Sequence, residues 1–433
     1  MSDTRKKLIL GILIFVLALF IFSCAQAGPA ATPGKKIVTL SVNLAAPKDR
    51  WDDLIKTAEE KYELDNPGTD LKINYMVYPY DEMHTKLVTM AAANVKADIL
   101  SIDQIWLGEF VEAGYIKDIT DMTDAWDIQD KLYAPYLEGC KYDSKYYAVW
   151  AWTDARLMWY RKDILKSAGV EAGQLQTWKG FLDAVPKINK AADDAGMQGV
   201  AFPGEAWLVD WWFPLLFQNG GEILVETADG YKAGFDNEAG FQAAEFLQEM
   251  KTAGVEFPTV WKWGEEFAAG NYAVWFGGTW VLGNFSEDEM ADIRDKVGVA
   301  MFPAPAGKQS RTLNGGWLLA IPDTSENPEV AWEFIKYMLE PDILTPVLAK
   351  YGYLPTQKTI AQDRKYAGQM EQNIVFWKEF EDVLSYGAAR PSIPEYPKVA
   401  EKLYEELSKV VYEKTTPEAA IRSASDKVNA IWQ

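Results

Sequence analysis

One stretch of the chain combines aromatic rings with an acidic group at a regular spacing. In "YAVWAWTDARLMWYRKD", residues 147–163, Trp150, Trp152 and Asp154 recur at every second position. An extended strand turns alternate side chains to the same face, so these three are predicted to share one surface. Flat apolar rings beside a carboxylate suit a ligand with C–H faces and peripheral hydroxyls, as sugars have. The alternative is that both tryptophans lie in the core and that Asp154 caps a turn.

A second acidic residue follows a predicted buried strand. In "DILSIDQIWLGEF", residues 98–110, Asp103 comes just past the strand and Trp106 follows about one helical turn later. Ligands of open α/β sheets bind at the carboxyl ends of strands, which favours a binding role for Asp103. Capping the N-terminus of a helix is an equally ordinary role for this residue.

Two glycine pairs are each followed closely by a tryptophan. Gly277–Gly278 precedes Trp280, and Gly315–Gly316 precedes Trp317. Glycine lets another group approach the backbone closely, and tryptophan brings a large flat ring. We expect the backbone at each pair to pass close under a ligand while its tryptophan forms one wall of a cleft. The alternative is that both rings serve hinge or core packing.

The composition excludes several classes of protein. A chain of 433 residues exceeds a single core, which predicts two domains or lobes. The net charge of -20 argues against nucleic acid or an anionic membrane surface as a partner. With His84 as the single histidine and only Cys24 and Cys140 as cysteines, we predict no metal site, no cofactor and no disulfide framework. Cys140 is expected to be a buried thiol.

The amino terminus has the pattern of an export signal. The basic "MSDTRKK" precedes the apolar run Leu8–Phe22, and we assign residues 1–23 to a signal peptide. "IFSC" resembles the lipobox of bacterial lipoproteins, which makes Cys24 the lipidated first residue of the mature chain. "AQA" would instead suit ordinary cleavage before Gly28. Residues 24–36 are rich in small residues, proline and glycine, and are predicted to form a flexible tether.

The hydrophobic pattern alternates between strands and helices along most of the chain. Residues 37–44 and 70–78 alternate as strands do, and helical spacing between them completes a β-α-β unit. The alternation restarts after about Arg156 and ends in two helices, roughly 396–413 and 417–431. The pattern therefore predicts an α/β fold with a parallel-rich sheet in a first lobe and a second α/β lobe.

Landmarks along the chain occur in the order typical of one family. They are "ADILSIDQIWLGEFVEAGYIKDIT", "WTDARLMWYRKDILKSAG", "GNYAVWFGGTW", "LNGGWLLAIP", "NPEVAWEFIKYM", "YGYLPT" and "ARPSIPEYP". Together they resemble the extracellular solute-binding proteins of bacterial and archaeal sugar ABC importers, of the maltose- and trehalose-binding type. The resemblance implies the two-lobed fold of periplasmic binding proteins (type II), whose hinged lobes close on a ligand in the cleft between them.

The resemblance also implies where the chain passes between the lobes. Crossings are expected near residues 150–156, 310–318 and 370–380. The predicted lobes are residues 37–152 with 318–375 for the first, and residues 153–317 with 376–433 for the second.

Sugar contacts are carried over to individual residues by the same resemblance. Arg390 receives a hydroxyl-binding role, because its planar fork can bridge two neighbouring hydroxyls. Of the adjacent Trp211 and Trp212, at most one is expected to face the ligand. The complete predicted site is Asp103, Trp106, Trp152, Asp154, Trp211, Trp212, Trp280, Gly316, Trp317, Tyr353 and Arg390.

The chain departs from the family pattern at two places. Members of the trehalose and maltose type usually carry an acidic residue after the first strand, where this chain offers only Asn43 in the expected loop. They also carry a basic residue before the third strand, where this chain offers Tyr80, Asp81 and His84. These departures bear on which sugar the protein binds.

The function implied is that of a binding protein without catalytic residues. It captures a mono- or oligosaccharide, for example an α-linked glucoside such as trehalose or maltose, and delivers it to a membrane permease as an exported, lipid-anchored monomer. One alternative is an exported glycoside hydrolase that uses Asp103 and Asp154 as its carboxylate pair. Another is a glycerol-phosphate-type binding protein, which needs basic residues such as Arg390 and Arg156 in the cleft.

Overall fold

The computed structural model describes residues 35–433 except 46–47, 260–261, 263, 291–292 and 414. The predicted signal peptide, most of the predicted tether and Cys24 lie outside the described residues. Within the described part of the chain, no helix combines the length and the apolar character needed to cross a membrane.

The strands of the described residues range in length from 2 to 14 residues. They are β1 (Lys36–Ala45), β2 (Thr69–Tyr78), β3 (Ile99–Asp103), β4 (Lys141–Tyr142), β5 (Lys145–Tyr146), β6 (Ala148–Arg161), β7 (Gln198–Ala201), β8 (Leu224–Thr227), β9 (Gly230–Ala233), β10 (Tyr272–Gly278), β11 (Val297–Ala300), β12 (Thr312–Ala320) and β13 (Gly387–Ala388).

Helices connect these strands and cover the sheet. They are α1 (Asp49–Asp65), α2 (Tyr80–Ala92), α3 (Leu107–Glu112), α4 (Thr120–Asp124), α5 (Ile128–Lys131), α6 (Ala134–Glu138), α7 (Lys162–Ala168), α8 (Trp178–Asp194), α9 (Leu208–Gln218), α10 (Glu238–Ala253), α11 (Glu265–Ala268), α12 (Glu287–Met290), α13 (Ile293–Lys296), α14 (Pro328–Met338), α15 (Pro341–Tyr351), α16 (Lys358–Gln362), α17 (Arg364–Asn373), α18 (Trp377–Leu384), α19 (Tyr396–Tyr412) and α20 (Pro417–Asn429). Short 3-10 helices span Gln104–Trp106, Ala172–Gln176, Glu205–Trp207, Thr279–Asn284 and Ala430–Trp432.

Local signals in the sequence account for many of these boundaries. Thr177 caps α8 by accepting a hydrogen bond from the Gly180 amide, and Asn237 caps α10 in the same way. Gly254 ends α10 in the left-handed conformation, with φ of 99°. Pro328 stands at the first position of α14, where its missing N–H costs no helical hydrogen bond.

One long strand joins two halves of the main sheet, whose order is β2-β1-β3-β12-β6-β10-β7. Residues 148–155 of β6 pair with β12, and residues 156–161 pair with β10 and β11. We call β2, β1, β3, β12 and the first part of β6 the first sheet half. The second part of β6, with β10, β11 and β7, is the second sheet half. The chain is therefore continuous between the halves through β6.

The sheet is mixed, and the predicted parallel-rich arrangement needs correction. β1 pairs parallel with both β2 and β3, as the β-α-β pattern indicates. The central strands β6 and β12 run antiparallel to each other, and β12 also runs antiparallel to β3. Because β6 and β12 come from distant parts of the chain, local periodicity carries no information about their relative direction.

The helices divide between the two sheet halves. α14 and α15 return to the first half and pack against α1. α18 lies against the second half, where Phe376 and Phe380 stand 5.5 and 5.9 Å from the Trp159 ring of β6. α19 and α20 pack against α10. The lobe boundaries given above remain a prediction, and these contacts support it.

Asn43 does not lie in a loop, contrary to expectation. It is a buried residue of β1, and its Oδ1 accepts a hydrogen bond from the Tyr78 hydroxyl at 3.2 Å. β1 extends as far as Ala45 because the apolar alternation continues through Leu44 into the core. Cys140 is fully buried, as predicted, and burial raises the pKa of its thiol far above the usual value.

Candidate functional site

A cavity of about 250 Å³ lies where the two sheet halves meet. Both halves contribute walls: the end of β3, the start of α2 and part of β12 on one side, and α9, α11 and the 3-10 helix after β10 on the other. The lining residues are Arg50, Pro79, Tyr80, Asp81, Asp103, Asp154, Arg156, Trp207, Asp210, Trp211, Glu265, Trp280, Asn284, Gly316, Trp317, Tyr353 and Arg390.

Arg390 connects the two walls through a pair of carboxylates. Its Nη2 donates to Asp103 Oδ1 at 2.9 Å, and its Nη1 donates to Asp210 Oδ2 at 2.6 Å. Tyr80 donates from its hydroxyl to Asp103 Oδ2 at 2.6 Å, and Tyr396 donates to Asp210 Oδ1 at 3.4 Å. Asp103 thus stands at the end of β3 and Asp210 in the first turn of α9, with one guanidinium between them.

Burial and charge act together on the ionisation of this cluster. Burial raises the pKa of Tyr80 well above its usual value, and the Asp103 carboxylate raises it further. Burial by itself lowers the pKa of Arg390, but the adjacent Asp103 and Asp210 outweigh it and raise that pKa well above the ordinary value. Arg390 is therefore a permanent cation, and the tyrosine hydroxyl keeps its proton for hydrogen bonding.

Asp154 and Arg156 form a second buried pair on β6. Arg156 Nη1 donates to Asp154 Oδ1, and the Arg156 guanidinium lies 5.1 Å from the ring centre of Trp280. Burial raises the pKa of Asp154, and Arg156 and Arg390 oppose that rise. Asp154 is therefore neither a turn cap nor an isolated carboxylate, since its charge is balanced within the cavity wall.

Asp103 caps a short helix and also lines the cavity, so the cap does not exclude the predicted binding role. Its carboxylate lines the cavity, and its Oδ1 also accepts a hydrogen bond from the Ile105 amide at 3.3 Å, which caps the 3-10 helix Gln104–Trp106. The two interpretations were therefore not exclusive.

The glycine pairs make room for the protein's own groups, and a close approach of ligand to their backbone stays a prediction. A Cβ on Gly278 would overlap the ring of Trp280, and a Cβ on Gly277 would lie 2.6 Å from Val281 Cγ2. On Gly315 it would lie 2.6 Å from Arg156 Nη1. Gly316 has φ of 147° and touches β6 directly, although it also lines the cavity. Each glycine is thus explained by contacts inside the protein.

Three predicted contact residues lie in the core and do not line the cavity. The Trp152 ring is stacked between Trp51 and Tyr353, with ring centres 4.8 and 4.9 Å away, so the prediction of a direct contact is wrong for it. Trp106 packs behind Tyr80 and Trp317, at 5.7 and 6.1 Å.

Trp212 is the third of these corrections. It is fully buried against Phe213 and Phe235, whereas its neighbour Trp211 lines the cavity and stacks on Phe302 at 5.9 Å. Successive residues of α9 point about a quarter-turn apart, so only one of the pair reaches the cavity.

The remaining predicted residues lie around the cavity. Further residues, which were not identified from the sequence, also line it. Asp103, Asp154, Trp211, Trp280, Gly316, Trp317, Tyr353 and Arg390 all line it. Asp210 and Trp207 were missed, although the Trp-rich segment 206–221 offered a signal for both. Arg50 and Glu265 had no signal, because single charged residues near helix starts are ordinary surface features. His84 lies on α2 and contacts Glu109 at 2.8 Å.

The described residues contain no group of three or more His, Cys, Asp or Glu side chains placed to hold a metal ion. What the cavity offers instead is aromatic surface together with charged hydrogen-bonding groups, five of them carboxylates and three of them arginines. Such a lining suits a small ligand with several hydroxyls.

Comparison with known proteins identifies the class. A family model described as bacterial extracellular solute-binding protein matches residues 45–343. A putative binding protein of Brucella abortus (strain 2308) is 24% identical over 383 residues, covering 86% of this chain and 88% of that protein.

Two solved structures share the architecture. One is an ABC transporter solute binding protein from Thermotoga lettingae TMO, bound with alpha-D-tagatose, with TM-score 0.79, 26% identity, and coverage of 91% of this chain and 100% of that one. The other is maltose-bound MalE3 of T. maritima, with TM-score 0.78, 24% identity, and coverage of 91% and 100%.

The chain belongs to the family of bacterial extracellular solute-binding proteins. The family resemblance seen in the sequence is confirmed, and so is the two-lobed α/β fold of periplasmic sugar-binding proteins.

Proposed function

We propose that this protein captures a short saccharide between its two lobes and delivers it to the membrane permease of an ABC importer. The observation that carries the proposal is the composition of the interlobe cavity. Trp207, Trp211, Trp280 and Trp317 supply ring surface, and the carboxylates and arginines between them supply hydrogen bonds in fixed positions. The lobes are residues 37–152 with 318–375 and residues 153–317 with 376–433.

The size of the cavity favours a mono- or disaccharide. Its volume of about 250 Å³ is below the ~300–1,000 Å³ range of pockets for drug-sized ligands. Our best candidates are α-linked glucosides such as maltose and trehalose. A solute-binding protein that holds tagatose and another that holds maltose are both similar to this chain, which supports a sugar without selecting one.

The anionic alternative receives less support. Five carboxylates and three arginines line the cavity, and Arg156 and Arg390 are already paired with carboxylates. A phosphate group would meet a lining of net negative charge, which disfavours a glycerol-phosphate-type ligand.

The hydrogen bonds that Asp103 and Asp154 already make also disfavour the hydrolase alternative. Both oxygens of Asp103 accept hydrogen bonds from Arg390 and Tyr80, and Asp154 is paired with Arg156. A glycosidase needs one carboxyl that donates a proton and one that activates water or attacks the sugar. Because both oxygens of Asp103 and one oxygen of Asp154 are already engaged by arginine or tyrosine, the pair suits binding rather than proton transfer.

The test is a thermal-shift screen of the mature chain against mono- and disaccharides, followed by calorimetric titration of the tightest one. We expect a rise in melting temperature that depends on sugar concentration, with the sugar recovered intact after prolonged incubation. If no saccharide shifts the melting curve, the proposal is wrong. Reducing ends that appear in proportion to protein, and are lost in Asp154→Asn, would instead establish the hydrolase.

Export and membrane attachment are part of the same proposal. Residues 1–23 direct export, Cys24 carries the lipid, and the protein acts as a monomer at the outer face of the membrane. Cys24→Ser should release the protein from the membrane fraction of cells and lower its mass by the lipid. If the variant stays attached with the same mass as the wild type, cleavage follows Ala27 or another anchor operates.

A further inference from the structure

One arginine of the cavity differs from the other two in having no partner of opposite charge. Among the described residues, the Arg50 side chain makes no hydrogen bond or ion pair, and its Nε is buried without an acceptor. Arg156 and Arg390 are both paired with carboxylates, Arg156 through Nη1 with Asp154 and Arg390 through its two terminal nitrogens with Asp103 and Asp210. Arg50 is thus the least committed of the three guanidinium groups.

Its own helix does not explain why an arginine stands there. Arg50 lies in the first turn of α1, where a cation opposes the helix dipole and acidic residues are preferred. The neighbouring Asp49 forms no ion pair with it, and Asp49 Oδ2 instead accepts a hydrogen bond from the Tyr351 hydroxyl at 3.2 Å, although the charges of Asp49 and Asp154 partly offset the effect of burial. Burial lowers the pKa of Arg50 to about 10, which reflects the cost of holding this charge away from water.

A stack of aromatic rings holds the guanidinium in place. Its central carbon lies 5.0 Å from the ring centre of Tyr353 and 5.7 Å from that of Tyr351. Tyr353 is stacked on Trp152 at 4.9 Å, and Trp152 meets Trp51 at 4.8 Å with a tilt of 43°. Cation–π contact and ring packing fix the plane of such a group. Tyr353 and Arg50 both line the cavity. The core position of Trp152 thus gives it a positioning role.

Sugar oxygens differ in what they need from a binding site. Hydroxyls both donate and accept, so the carboxylates of the cavity bind them through their hydrogens. A ring oxygen, or a carboxylate oxygen of a sugar acid, only accepts and requires a donor from the protein. The carboxylates cannot serve such an oxygen, and the positions of Arg156 and Arg390 are already fixed by their carboxylate partners.

We propose that Arg50, mounted on the Trp51–Trp152–Tyr353 stack, is the specificity-determining donor for an acceptor-only oxygen of the bound saccharide. The oxygen is the ring ether of a neutral sugar, since the net negative lining of the cavity disfavours the carboxylate of a sugar acid. The inference rests on the proposed function, and it adds which ligand oxygen the site selects and by which residue.

The experiment uses three probes with one carbon skeleton. They are methyl α-D-glucopyranoside, its analogue with a methylene in place of the ring oxygen, and methyl α-D-glucopyranosiduronate. Each is titrated calorimetrically into the wild type, Arg50→Gln and Arg50→Lys. Arg294→Gln is the matched control, because Arg294 also lies over an aromatic ring, 5.1 Å from Phe376, but outside the cavity.

Arg50→Gln is expected to weaken binding of the preferred probe by about 10- to 100-fold, the loss of a charge-assisted hydrogen bond. The affinity of Arg50→Lys should lie between those of the wild type and Arg50→Gln, since lysine keeps the charge without the planar fork. If the ring ether is the partner, the methylene analogue binds the wild type as weakly as the glucoside binds Arg50→Gln. If the glucuronide binds the wild type most tightly and Arg50→Gln removes that advantage, the ring-ether assignment is wrong and Arg50 selects a carboxylate. Arg294→Gln should change affinity less than twofold.

Melting curves without sugar separate this role from a structural one. Because Arg50 is a poorly compensated charge, Arg50→Gln should melt at the same temperature as the wild type or higher. Wild-type affinity of Arg50→Gln for all three probes would overturn the inference and leave the proposed function intact. If none of the probes shifts the wild-type melting curve, the α-glucoside proposal fails, and the assignment of Arg50 fails with it.

Discussion

The two glycine pairs share a sequence pattern but solve different packing problems, one on each sheet half. At Gly277–Gly278, the missing side chain is replaced by the ring of Trp280, two residues later in the same segment. At Gly315–Gly316, the space is taken by groups of the neighbouring strand β6. The first pair therefore sets the position of a cavity wall, whereas the second allows two central strands to approach each other.

The tryptophans that follow the pairs differ accordingly. Trp280 is 7% exposed, with Arg156 over its face, while Trp317 is partly exposed and meets Tyr80 edge-on at 5.7 Å with an interplanar angle of 77°. Two glycines followed closely by a tryptophan thus do not indicate a single structural role. Substitutions in the two segments should separate effects on folding from effects on binding.

The largest effect is expected from Gly316→Ala. The new Cβ would meet the carbonyl oxygen of Trp152, which is backbone and cannot move aside, and alanine disfavours φ of 147°. Strain and overpacking together should cost about 4 kcal/mol of unfolding free energy, measured by urea denaturation. Gly173→Ala is the control, since nothing lies within 4 Å of its Cβ. Equal stability of the two variants would show that β6 and β12 are not held together as described.

Trp280→Ala should affect both folding and binding. Removing a buried ring that supports Arg156 should cost about 3 kcal/mol of stability. Loss of a cavity wall should also weaken sugar binding by about 2 kcal/mol, roughly thirtyfold in Kd.

Trp317→Ala is the matching variant on the other sheet half. Because its ring is only partly buried, we expect a similar loss of affinity with a smaller loss of stability, about 1–2 kcal/mol. Calorimetric titration and melting curves check both variants. If Trp280→Ala keeps its ligand-induced shift in Tm, that ring is a core residue only.

Gly278→Ala tests the first pair without deleting the ring. The methyl group would push the Trp280 side chain from its place, and a side chain yields more easily than backbone. We expect a stability loss of about 1–2 kcal/mol and a roughly tenfold rise in Kd for the sugar. Unchanged affinity in a folded variant would mean that the position of the Trp280 ring does not matter to the ligand.

The smallest effect on binding is expected from Trp212→Phe. This ring lies in the core beside Phe213 and Phe235, next in sequence to the cavity residue Trp211. We expect about 1 kcal/mol of lost stability and an affinity within twofold of the wild type. A larger loss of affinity than in Trp211→Phe would reverse the assignment of the two neighbours.

The sequence predicted the elements of this fold better than their pairing. The two closing helices, predicted at roughly 396–413 and 417–431, were located closely because hydrophobic periodicity is a local signal: α19 spans Tyr396–Tyr412 and α20 spans Pro417–Asn429. The antiparallel centre of the sheet was not predicted, because β6 and β12 meet only after about 160 residues of intervening chain, as the pairing of Asp154 with Gly315 shows. Register between distant strands depends on tertiary packing that no local pattern encodes.

Only part of the site was predicted, because contacts between distant parts of the chain are likewise not visible in a local pattern. Asp103, Asp154 and Arg390 combine residue types and positions that fit ligand binding, and all three line the cavity. Trp152 alternates with Asp154 along β6, yet it lies in an aromatic stack away from the cavity. Arg50 has no distinctive neighbours in sequence, and its position becomes informative only when the missing counter-charge is seen in three dimensions.

The distribution of the tryptophans has an optical consequence. Of the 18 indoles in the chain, Trp207 and Trp317 line the cavity and are partly exposed, whereas Trp211 and Trp280 line it but are buried. Indole emission shifts to shorter wavelength when water leaves the ring, so a bound sugar should alter mainly the red edge of the spectrum. The total intensity should change little, because the buried rings emit as a constant background. Excitation at the red edge, compared between the wild type and Trp317→Phe, would therefore report occupancy without any added label.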